Sequence, residues 1–548
     1  MDFFSLTDLH FYIGIALSVF NGVLLCFIGY KFLQIIQLSG YRLKGYFTWL
    51  RDTHAKYIGR LLMLSVLSSL ALIVTNICFL RAPESVSIYW SYIGLLFYFI
   101  FAIVLIYNLH STPQKTPLKL TNRMSRAIGL LFVVSSLLTF GLVAVSSTFF
   151  DWFRFGAVGL TPLFLPLLVP FVHWVMQPIE KMINLKYIRE AKKKLNSMPD
   201  LIKIGVTGSL GKTSTKHFLS TILSERYNVC PTPLSYNTPM GVTKTVIQFL
   251  SPNNQVLVCE MGARNVGDIK ELCDIVKPKY GIITAISSQH MATFATIDNI
   301  KKTKAELAEC MPEDGFMVFN GDNKEVMDIY EHTKCKKTYT CLNDKKSDFW
   351  ASDIKIDTDG TTFMLHYKGK DSARCVTRLL GEHNISNLLL CASMSKQLGL
   401  SLEEIASGIN KVSAVDHRLQ LIKSTNGVVV LDDTYNASVE GSERALGVLA
   451  LFKSNKKIVV TPGLVELGSL ERLENFNFGK KIAEVADEVI IVNKTNAQAL
   501  EQGLLEAGFD KEKIHFAETL NKARDMMPSI VSSGTVVLFE NDLPDNYT

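Results

Sequence analysis

The chain has 548 residues, of which 48% are hydrophobic and only 20% charged, and its formal net charge is +6. This composition is too apolar for a purely soluble enzyme and too aromatic for a disordered chain, and so small a net charge gives no reason to expect a nucleic-acid partner. The apolar residues are concentrated in the first third, which predicts a membrane domain joined to a soluble part. The ten cysteines form no C-x-x-C pair and no cluster with the spacing of a zinc site.

Five apolar segments in the first 180 residues each approach the ~20 residues that a helix needs to cross a bilayer. They are Phe11–Phe32, Ile58–Leu80, Ile88–Leu109, Ala127–Ser147 and Phe155–Met176. Lysine and arginine are concentrated in the first and third connecting loops and after the fifth segment. By the positive-inside rule, this pattern predicts a five-span domain over residues 1–180, with the N-terminus outside and everything after Met176 in the cytoplasm.

Prolines and lysines mark the end of this domain. Pro162, Pro166 and Pro170 in the fifth segment predict a kinked helix or a cavity between helices. Residues 181–199 are rich in lysine and predict a linker helix, which lies either on anionic lipid or in solvent.

A phosphate-binding loop opens the soluble part. The β-branched run Ile202–Val206 leads into Thr207–Thr213, which reads T-G-S-L-G-K-T, and a helical pattern follows to about Glu225. A strand, a glycine-rich turn and a helix N-terminus together form an anion site, because backbone N–H groups and the helix dipole face the phosphates. In this arrangement Lys212 reaches the terminal phosphates and the hydroxyl of Thr213 can bind Mg²⁺.

Alternating strand and helix patterns divide the soluble part into two α/β domains. Glu260 follows the apolar strand Val256–Val258, where an acidic side chain is well placed to bind Mg²⁺. We predict a central ATP-binding domain over residues 200–412, with a β-rich insertion at Ser347–Leu380. We predict a Rossmann-like, doubly wound C-terminal domain over residues 413–548, with strands at Val428–Leu431, Ile458–Thr461, Val489–Val492 and Val536–Phe539. The active site is expected between the two domains.

Ten motifs in this order resemble the Mur ligase family of ATP-dependent amide-bond-forming enzymes, from about Lys203 to the C-terminus. The branch with the greatest resemblance is that of the UDP-N-acetylmuramoyl-tripeptide–D-alanyl-D-alanine ligases. The motifs are Thr207–Thr213, Ser235–Gly241, Glu260–Ala263, His290, Lys304–Glu306, Asn320–Asn323, Gly381–Asn387, His417 with Arg418, Asp432–Ala437 and Thr461–Gly468.

The resemblance implies a role for each matching residue. The phosphate-binding residues would be Thr207, Gly208, Ser209, Gly211, Lys212, Thr213 and Ser214. Asn320, Asn384 and Asn387 would line the nucleotide pocket, and Arg418 and Asp433 would close over it from the C-terminal domain. Thr213, Glu260, His290 and Lys304 would hold two Mg²⁺ ions, with Lys304 carbamylated by CO₂, and Asn237 would lie near the acceptor. The catalytic set would be Lys212, Lys304, His290, Asn237 and Arg418.

Three positions depart from the family pattern. Leu210 stands where the family usually has Asn or Asp, and the five apolar segments stand where the family has its UDP-sugar-binding domain. The C-terminal K-G-S-R-like motif is replaced by Phe539–Pro544.

These observations favour a membrane-anchored ligase of bacterial cell-wall or surface-polymer synthesis in the plasma membrane, with cytoplasmic catalytic domains. It would phosphorylate the carboxylate of an acceptor, either lipid-linked or soluble, and join it to an amino acid or a dipeptide. Three alternatives remain open: a ligase for a soluble precursor that is merely tethered to the bilayer, a non-catalytic nucleotide-binding scaffold, and a transporter driven by an ATPase.

Overall fold

The computed structural model describes residues 6–81, 96–107, 117–149, 156–287, 294, 296–369, 371–424, 426–435, 438–465 and 467–542. Internal contacts divide these residues into a helical unit that ends at Ile183 and an α/β unit that begins at Asn184.

Apolar helices build the first unit. They are α1 (Leu6–Ile28), α2 (Tyr30–Leu38), α3 (Leu43–Arg81), α4 (Leu96–Tyr107), α5 (Asn122–Phe149), α6 (Gly156–Leu160) and α7 (Leu165–Asn196), which continues into the second unit. Leu25, Phe32, Tyr46, Leu131 and Leu165 meet in one buried cluster. Aromatic and aliphatic side chains such as Phe27, Leu137 and Trp174 are exposed instead, as lipid-facing residues of a membrane bundle would be.

The described residues contain three stretches that are long and apolar enough to cross a membrane, judged by length and composition. They are Ile58–Thr75, Asn122–Val145 and Gly156–Asn196. The pair α1 and α2, bent by 45°, would make a fourth. Most of the first half of the predicted third span lies outside the described residues, and its remainder is the short apolar helix α4. Membrane crossing therefore stays a prediction.

The proline-rich fifth segment is interrupted by a 3₁₀ turn, Thr161–Phe164, between α6 and α7. Beyond it, α7 runs without a break from Leu165 to Asn196 and contains Pro170 and Pro178. Most of the basic segment predicted as a linker helix is thus the continuation of the last apolar helix.

The first α/β layer is a mixed sheet with the order β2-β3-β1-β4-β5-β6-β7-β8-β9, counted within the described residues. Its strands are β1 (Ile202–Thr207), β2 (Val229–Pro231), β3 (Val256–Glu260), β4 (Tyr280–Ile283), β5 (Phe316–Asn320), β6 (Lys336–Thr340), β7 (Phe349–Asp357), β8 (Gly360–Tyr367) and β9 (Asp371–Thr377). The first seven in sequence pair in parallel, and β7, β8 and β9 pair antiparallel. The predicted β-rich insertion is therefore the antiparallel end of this sheet.

Helices cover this sheet on both faces. They are α8 (Lys212–Leu223), α9 (Pro239–Gln248), α10 (Asp268–Val276), α11 (Ile297–Glu309), α12 (Lys324–His332), α13 (Glu382–Gln397) and α14 (Leu402–Lys411). One buried cluster joins β1 to α8 and α13, and another joins β3 to α9, α10 and α11. Central strands such as β3 are buried along their whole length, as expected for a parallel sheet covered on both faces.

A second sheet follows, with the order β10-β11-β15-β12-β13-β14 in the described residues. Its strands are β10 (Gln420–Lys423), β11 (Val429–Asp433), β12 (Lys457–Thr461), β13 (Glu488–Val492), β14 (Ile514–Ala517) and β15 (Val536–Glu540). Its helices are α15 (Val439–Leu449), α16 (Glu471–Ala483), α17 (Ala497–Glu506) and α18 (Leu520–Ile530). The four predicted strands are present, and the two α/β folds expected from the sequence are confirmed.

Two edge strands of the second sheet were missed. β10 pairs antiparallel with β11, and β14 lies at the opposite edge. Both have only four residues, which is too short for an alternating pattern to stand out in the sequence.

Candidate nucleotide and phosphate site

The glycine-rich loop connects the C-terminal end of β1, an inner strand of the sheet, to α8. Gly208 has φ +150° and Gly211 has φ +80°, a region that side chains other than glycine rarely adopt. A Cβ on Gly208 would collide with the Thr284 hydroxyl, and one on Gly211 would lie 2.8 Å from the amide oxygen of Asn387. Both glycines therefore allow Thr284 and Asn387 to lie close to the loop. This close packing fixes the shape of the loop at the N-terminus of α8.

Lys212 is the first residue of α8, and its side chain turns back into the loop. Its Nζ donates to the carbonyl oxygens of Gly208 and Ser209, each at 2.7 Å. Burial lowers the pKa of Lys212 to about 8, against the opposing charge of Glu260. The ammonium group thus lies inside the loop's concave side, where a phosphate would meet it.

Glu260 ends β3 beside the loop and is almost completely buried. Its Oε1 accepts from the amide of Asn237 at 3.0 Å, and its Oε2 lies 3.1 Å from the ammonium of Lys216. Burial raises the pKa of this carboxyl group, but the charges of Lys216 and Lys212 outweigh it, so the net shift is downward. Glu260 is therefore held as a carboxylate, as a metal ligand would have to be.

Lys304 lies in α11 and is also buried. Burial, with the charge of Lys212 as the second cause, lowers its pKa to about 7. Glu306, two residues further, has a structural role, because it accepts from the backbone N–H groups of Gly267 and Lys270 at 2.6 and 2.9 Å and so caps α10. Within this three-residue motif, Lys304 is therefore the residue whose pKa is strongly shifted.

A cavity of about 550 Å³ opens beside the loop, between the two α/β folds of the second unit. Asn320, Asn384 and Asn387 line it from the first fold, together with Gly211 and Ser214, and Arg418, Asp433, Tyr435 and Arg444 line it from the second. Leu342, Ile356, Val448 and Leu451 add apolar surface. Apolar walls with a few convergent amides and charges suit a planar, polar ligand such as a nucleotide base.

The second fold reaches the phosphate loop directly. An Nη2 of Arg418 donates to Oγ1 of Thr213 at 3.2 Å, and its guanidinium lies 4.7 Å from the ring centre of Tyr435. The hydroxyl of Tyr435 donates to Oγ of Ser235 at 2.8 Å. These contacts join the first turn of α8 and the loop at Ser235 to the segments of the second fold that precede β10 and follow β11.

Two carboxyl groups, one half-buried and one fully buried, lie at the paired ends of β11 and β15. Asp433 and Glu540 are partners in the β11–β15 register, and Glu540 is fully buried. Burial raises the pKa of Asp433 to about 6, and burial together with the charge of Asp433 raises that of Glu540 well above its usual value. Burial and the neighbouring carboxyl group therefore both favour the protonated form of Glu540.

The structure brings most of the predicted residues together around the loop and the cavity: Thr207, Gly208, Ser209, Gly211, Lys212, Thr213, Ser214, Asn237, Glu260, Lys304, Asn320, Asn384, Asn387, Arg418 and Asp433. His290 lies outside the described residues. Two contributors were missed. Lys216 lies one helical turn after Lys212, so the i, i+4 spacing was a usable signal. Tyr435 lies within the motif Asp432–Ala437, but nothing in the sequence indicates its contact with Ser235.

Across the described residues there is no group of three or more His, Cys, Asp or Glu side chains that could hold a metal ion. The oxygen donors near the loop are the hydroxyl of Thr213 and the carboxylate of Glu260. Oxygen donors of this kind suit Mg²⁺, which keeps several water ligands and binds substrate phosphates. The residues present therefore fit a magnesium ion that arrives with a nucleotide.

Comparison with known proteins agrees with this geometry. Residues 206–395 match the Mur ligase middle domain, and residues 417–540 match the Mur ligase glutamate ligase domain. The chain is 29% identical to UDP-N-acetylmuramoyl-tripeptide–D-alanyl-D-alanine ligase of Bacillus subtilis, over 62% of this chain and 72% of that protein. It is also 29% identical to the Escherichia coli protein of the same name, over 61% of this chain and 74% of that protein.

Solved structures give the same result for the fold. A crystal structure of MurF from Acinetobacter baumannii is similar with a TM-score of 0.59 and 25% identity, over 66% of this chain and 77% of that one. MurF from Thermotoga maritima in complex with ADP has a TM-score of 0.58 and 24% identity, over 66% and 80%.

Proposed function

The chain belongs to the Mur ligase family of ATP-dependent acid–amino-acid ligases, and from this premise we propose that it extends a cell-wall peptide precursor at the membrane. A carboxylate oxygen of the acceptor would bond to the γ-phosphorus of ATP, and ADP would leave. The nitrogen of an amino acid or dipeptide would then bond to the acyl carbon, losing a proton as phosphate leaves. The relatives named above suggest a tripeptide acceptor and D-alanyl-D-alanine.

The observation that carries this proposal is the convergence of Lys212, Glu260 and Lys304 beside the cavity shared by the two folds. Phosphoryl transfer needs positioning and charge neutralisation more than covalent help from the protein. Lys212 would neutralise the transferring phosphate, and Arg418 would approach it from the second fold. Thr213 and Glu260 would hold Mg²⁺, which supplies charge neutralisation at the phosphate oxygens. The three asparagines would orient the base in the cavity.

Lys304 is proposed to be carbamylated, as the resemblance implies. Only a neutral amine attacks CO₂, and with a pKa of about 7 a large fraction of Lys304 is neutral at physiological pH. The nitrogen of the neutral amine would form a bond to the carbon of CO₂ and lose one proton, so the buried amine would become a carbamate anion. That anion would lie near the charge of Lys212 and would add oxygen donors for the second Mg²⁺. His290 keeps its proposed role at that ion.

The helical unit is proposed to anchor the enzyme in a bacterial plasma membrane, with the α/β unit in the cytoplasm. The acceptor would then be lipid-linked or otherwise presented at the inner face. Anchoring both partners to the bilayer raises their effective concentration, which would compensate for remote binding energy otherwise supplied by a UDP-sugar-binding domain. The second candidate is a tethered ligase for the soluble precursor, which is the substrate class for which the relatives above are named.

ADP release by the full-length protein in detergent tests these two candidates. The acceptors are a soluble UDP-linked tripeptide precursor and its lipid-linked counterpart, each with D-alanyl-D-alanine or single amino acids, and Lys212→Ala is the background control. Turnover restricted to the lipid-linked acceptor supports the membrane acceptor. Turnover of the soluble precursor alone supports the tethered ligase. If neither acceptor causes ADP release with any of the amines, the non-catalytic scaffold is the remaining interpretation.

A further inference from the structure

Three distant stretches of the helical unit meet around the side chain of Tyr41. The guanidinium carbon of Arg123, in the first turn of α5, lies 3.7 Å from the centre of the Tyr41 ring. The ring of His173, in α7, stacks on the same tyrosine with 6.0 Å between ring centres. Arg126 binds Glu180 through two hydrogen bonds of 2.9 Å, one helical turn from Arg123. We call Tyr41, Arg123, Arg126 and His173 the basic cluster.

Tyr41 has a backbone conformation that a bulky residue rarely adopts. It follows Gly40 in the turn between α2 and α3, and its φ is +61°. For a bulky side chain such a conformation costs on the order of 1 kcal/mol or more. Glycine or asparagine would meet the demands of the turn at lower cost. The tyrosine therefore has a use at this position other than closing the turn, and its ring contacts Arg123 and His173.

Arg123 keeps its hydrogen-bonding capacity. In the part of the chain that the structure describes, its guanidinium group forms no hydrogen bond, and the residue is only partly exposed. Glu180 is 5% exposed and is already engaged by Arg126. Tyr41 thus holds a guanidinium with five available N–H donors in one orientation, next to the positive end of α5.

We propose that the basic cluster binds the terminal phosphate or diphosphate of a membrane lipid. A terminal phosphate presents several accessible oxygen atoms. These oxygens can accept hydrogen bonds from the paired N–H donors of a guanidinium group. The depth is also suitable: Tyr41, Arg123 and His173 come from the loop and span ends that the positive-inside rule assigns to the cytoplasmic face. Phosphate headgroups and arginine side chains meet at that boundary.

The contacts around the cluster show that this end of the helical unit is a defined structure. The side chain of Gln37 donates to the carbonyl of Lys119 at 2.8 Å and accepts from the N–H of the same residue at 2.8 Å. The backbone N–H of Leu118 donates to the hydroxyl of Tyr30 at 3.2 Å. The segment that leads into α5, and so to Arg123, is therefore held against α2 by three hydrogen bonds.

Native mass spectrometry of the full-length protein in detergent tests the proposal. Dioleoyl phosphatidic acid is the probe, dioleoylglycerol has the same chains without phosphate, and inorganic diphosphate is the soluble anion. We expect phosphatidic acid to bind in preference to both. Arg123→Gln should weaken its binding about tenfold or more, because each charge-assisted hydrogen bond to phosphate contributes on that order.

Two further variants make the outcome decisive. Arg60→Gln removes the same charge from an exposed position of α3 and should leave binding unchanged. Tyr41→Asn keeps a residue that tolerates the left-handed turn and removes only the ring. It should weaken binding as well, and it decides the question if Arg123→Gln does not fold.

The proposal is overturned if all three variants lose binding equally, if dioleoylglycerol binds as well as phosphatidic acid, or if inorganic diphosphate binds equally well. ADP release is measured on the same variants. If a variant loses lipid binding but still turns over a soluble acceptor, the lipid-phosphate site is supported independently of the natural acceptor of the ligase.

Discussion

Replacing Lys216 by methionine tests the electrostatics of the phosphate site. Lys216 and Glu260 are 4% and 1% exposed, and their charged atoms lie 3.1 Å apart. Methionine keeps most of the length of the side chain and leaves a buried carboxylate without its ammonium partner. Breaking a buried ion pair from one side costs about 3–5 kcal/mol. For a unit of this size, unfolding entropy of ~2.1 cal/mol/K per residue converts that cost into a fall in Tm of about 5 °C.

The pH dependence gives the prediction its sign. In the wild type the pKa of Glu260 is held below its usual value, so its contribution to stability is present above about pH 4.5 and is lost as the pH falls. Without Lys216, burial dominates and the pKa rises, so the folded state binds an extra proton and stability falls as the pH rises above about 4.5. The deficit of the variant should therefore be largest near pH 7.5 and smaller near pH 5.

The assay is thermal unfolding of the full-length protein in detergent at pH 5 and pH 7.5, with and without Mg²⁺. Lys302→Met, at an exposed position of α11, is the matched control and should be neutral under all conditions. Mg²⁺ should raise the Tm of the Lys216 variant more than that of the wild type, because a cation beside Glu260 replaces the missing charge. A deficit that is equal at both pH values, or one that Mg²⁺ does not reduce, would refute the reasoning.

Three further outcomes follow from buried ionisable groups. Lys212→Ala should lower the rate of ADP release at least 10²-fold, as loss of one preorganised charge does. Its Tm should be unchanged or higher, because the lost charge was itself costly to bury. A turnover rate within tenfold of the wild type would contradict this prediction. Lys304→Arg should be inactive, since arginine forms no carbamate, and added bicarbonate should not restore ADP release; wild-type rates in this variant would rule the carbamate out. The raised pKa of Glu540 keeps a proton in the folded state that the unfolded state loses, so it lowers the Tm of the wild type as the pH rises above about 4.5. Glu540→Gln should make this fall in Tm less steep. An unchanged dependence of Tm on pH would show that Glu540 is not neutral.

The two α/β folds could be predicted because their central strands carry a strong local signal. The run before the phosphate loop is β-branched and buried, and glycine and lysine follow it at fixed spacing. The strand predicted at Val536–Phe539 lies between β11 and β12 in the sheet, a position that depends on chain topology rather than on any local pattern. The pairing of Glu540 with Asp433 could not be predicted for the same reason.

The site was predictable where one loop or one strand end defines it, and less so where side chains from several elements meet. Lys212 and Glu260 follow directly from their strands. The ion pair of Glu260 with Lys216 depends on the facing of α8 and β3, and the contact of Tyr435 with Ser235 joins residues that are 200 positions apart. Similarly, the basic loops around Tyr41 and Arg123 predicted an orientation in the membrane, but their meeting at His173 required the packing of three helices.

The cations around the phosphate loop are already bound to the protein's own acceptors, and this has a consequence for substrate turnover. Lys212 donates to two loop carbonyls and Arg418 donates to Thr213. Each contact that a nucleotide makes with these groups is therefore an exchange of one hydrogen bond for another, and the affinity is only the difference between them. If ADP occupies this loop, the same exchange would run in reverse when it leaves, and the internal acceptors would replace the hydrogen bonds that are lost. We therefore expect a loop of this kind to bind ATP less tightly than a loop whose donors have no internal partner.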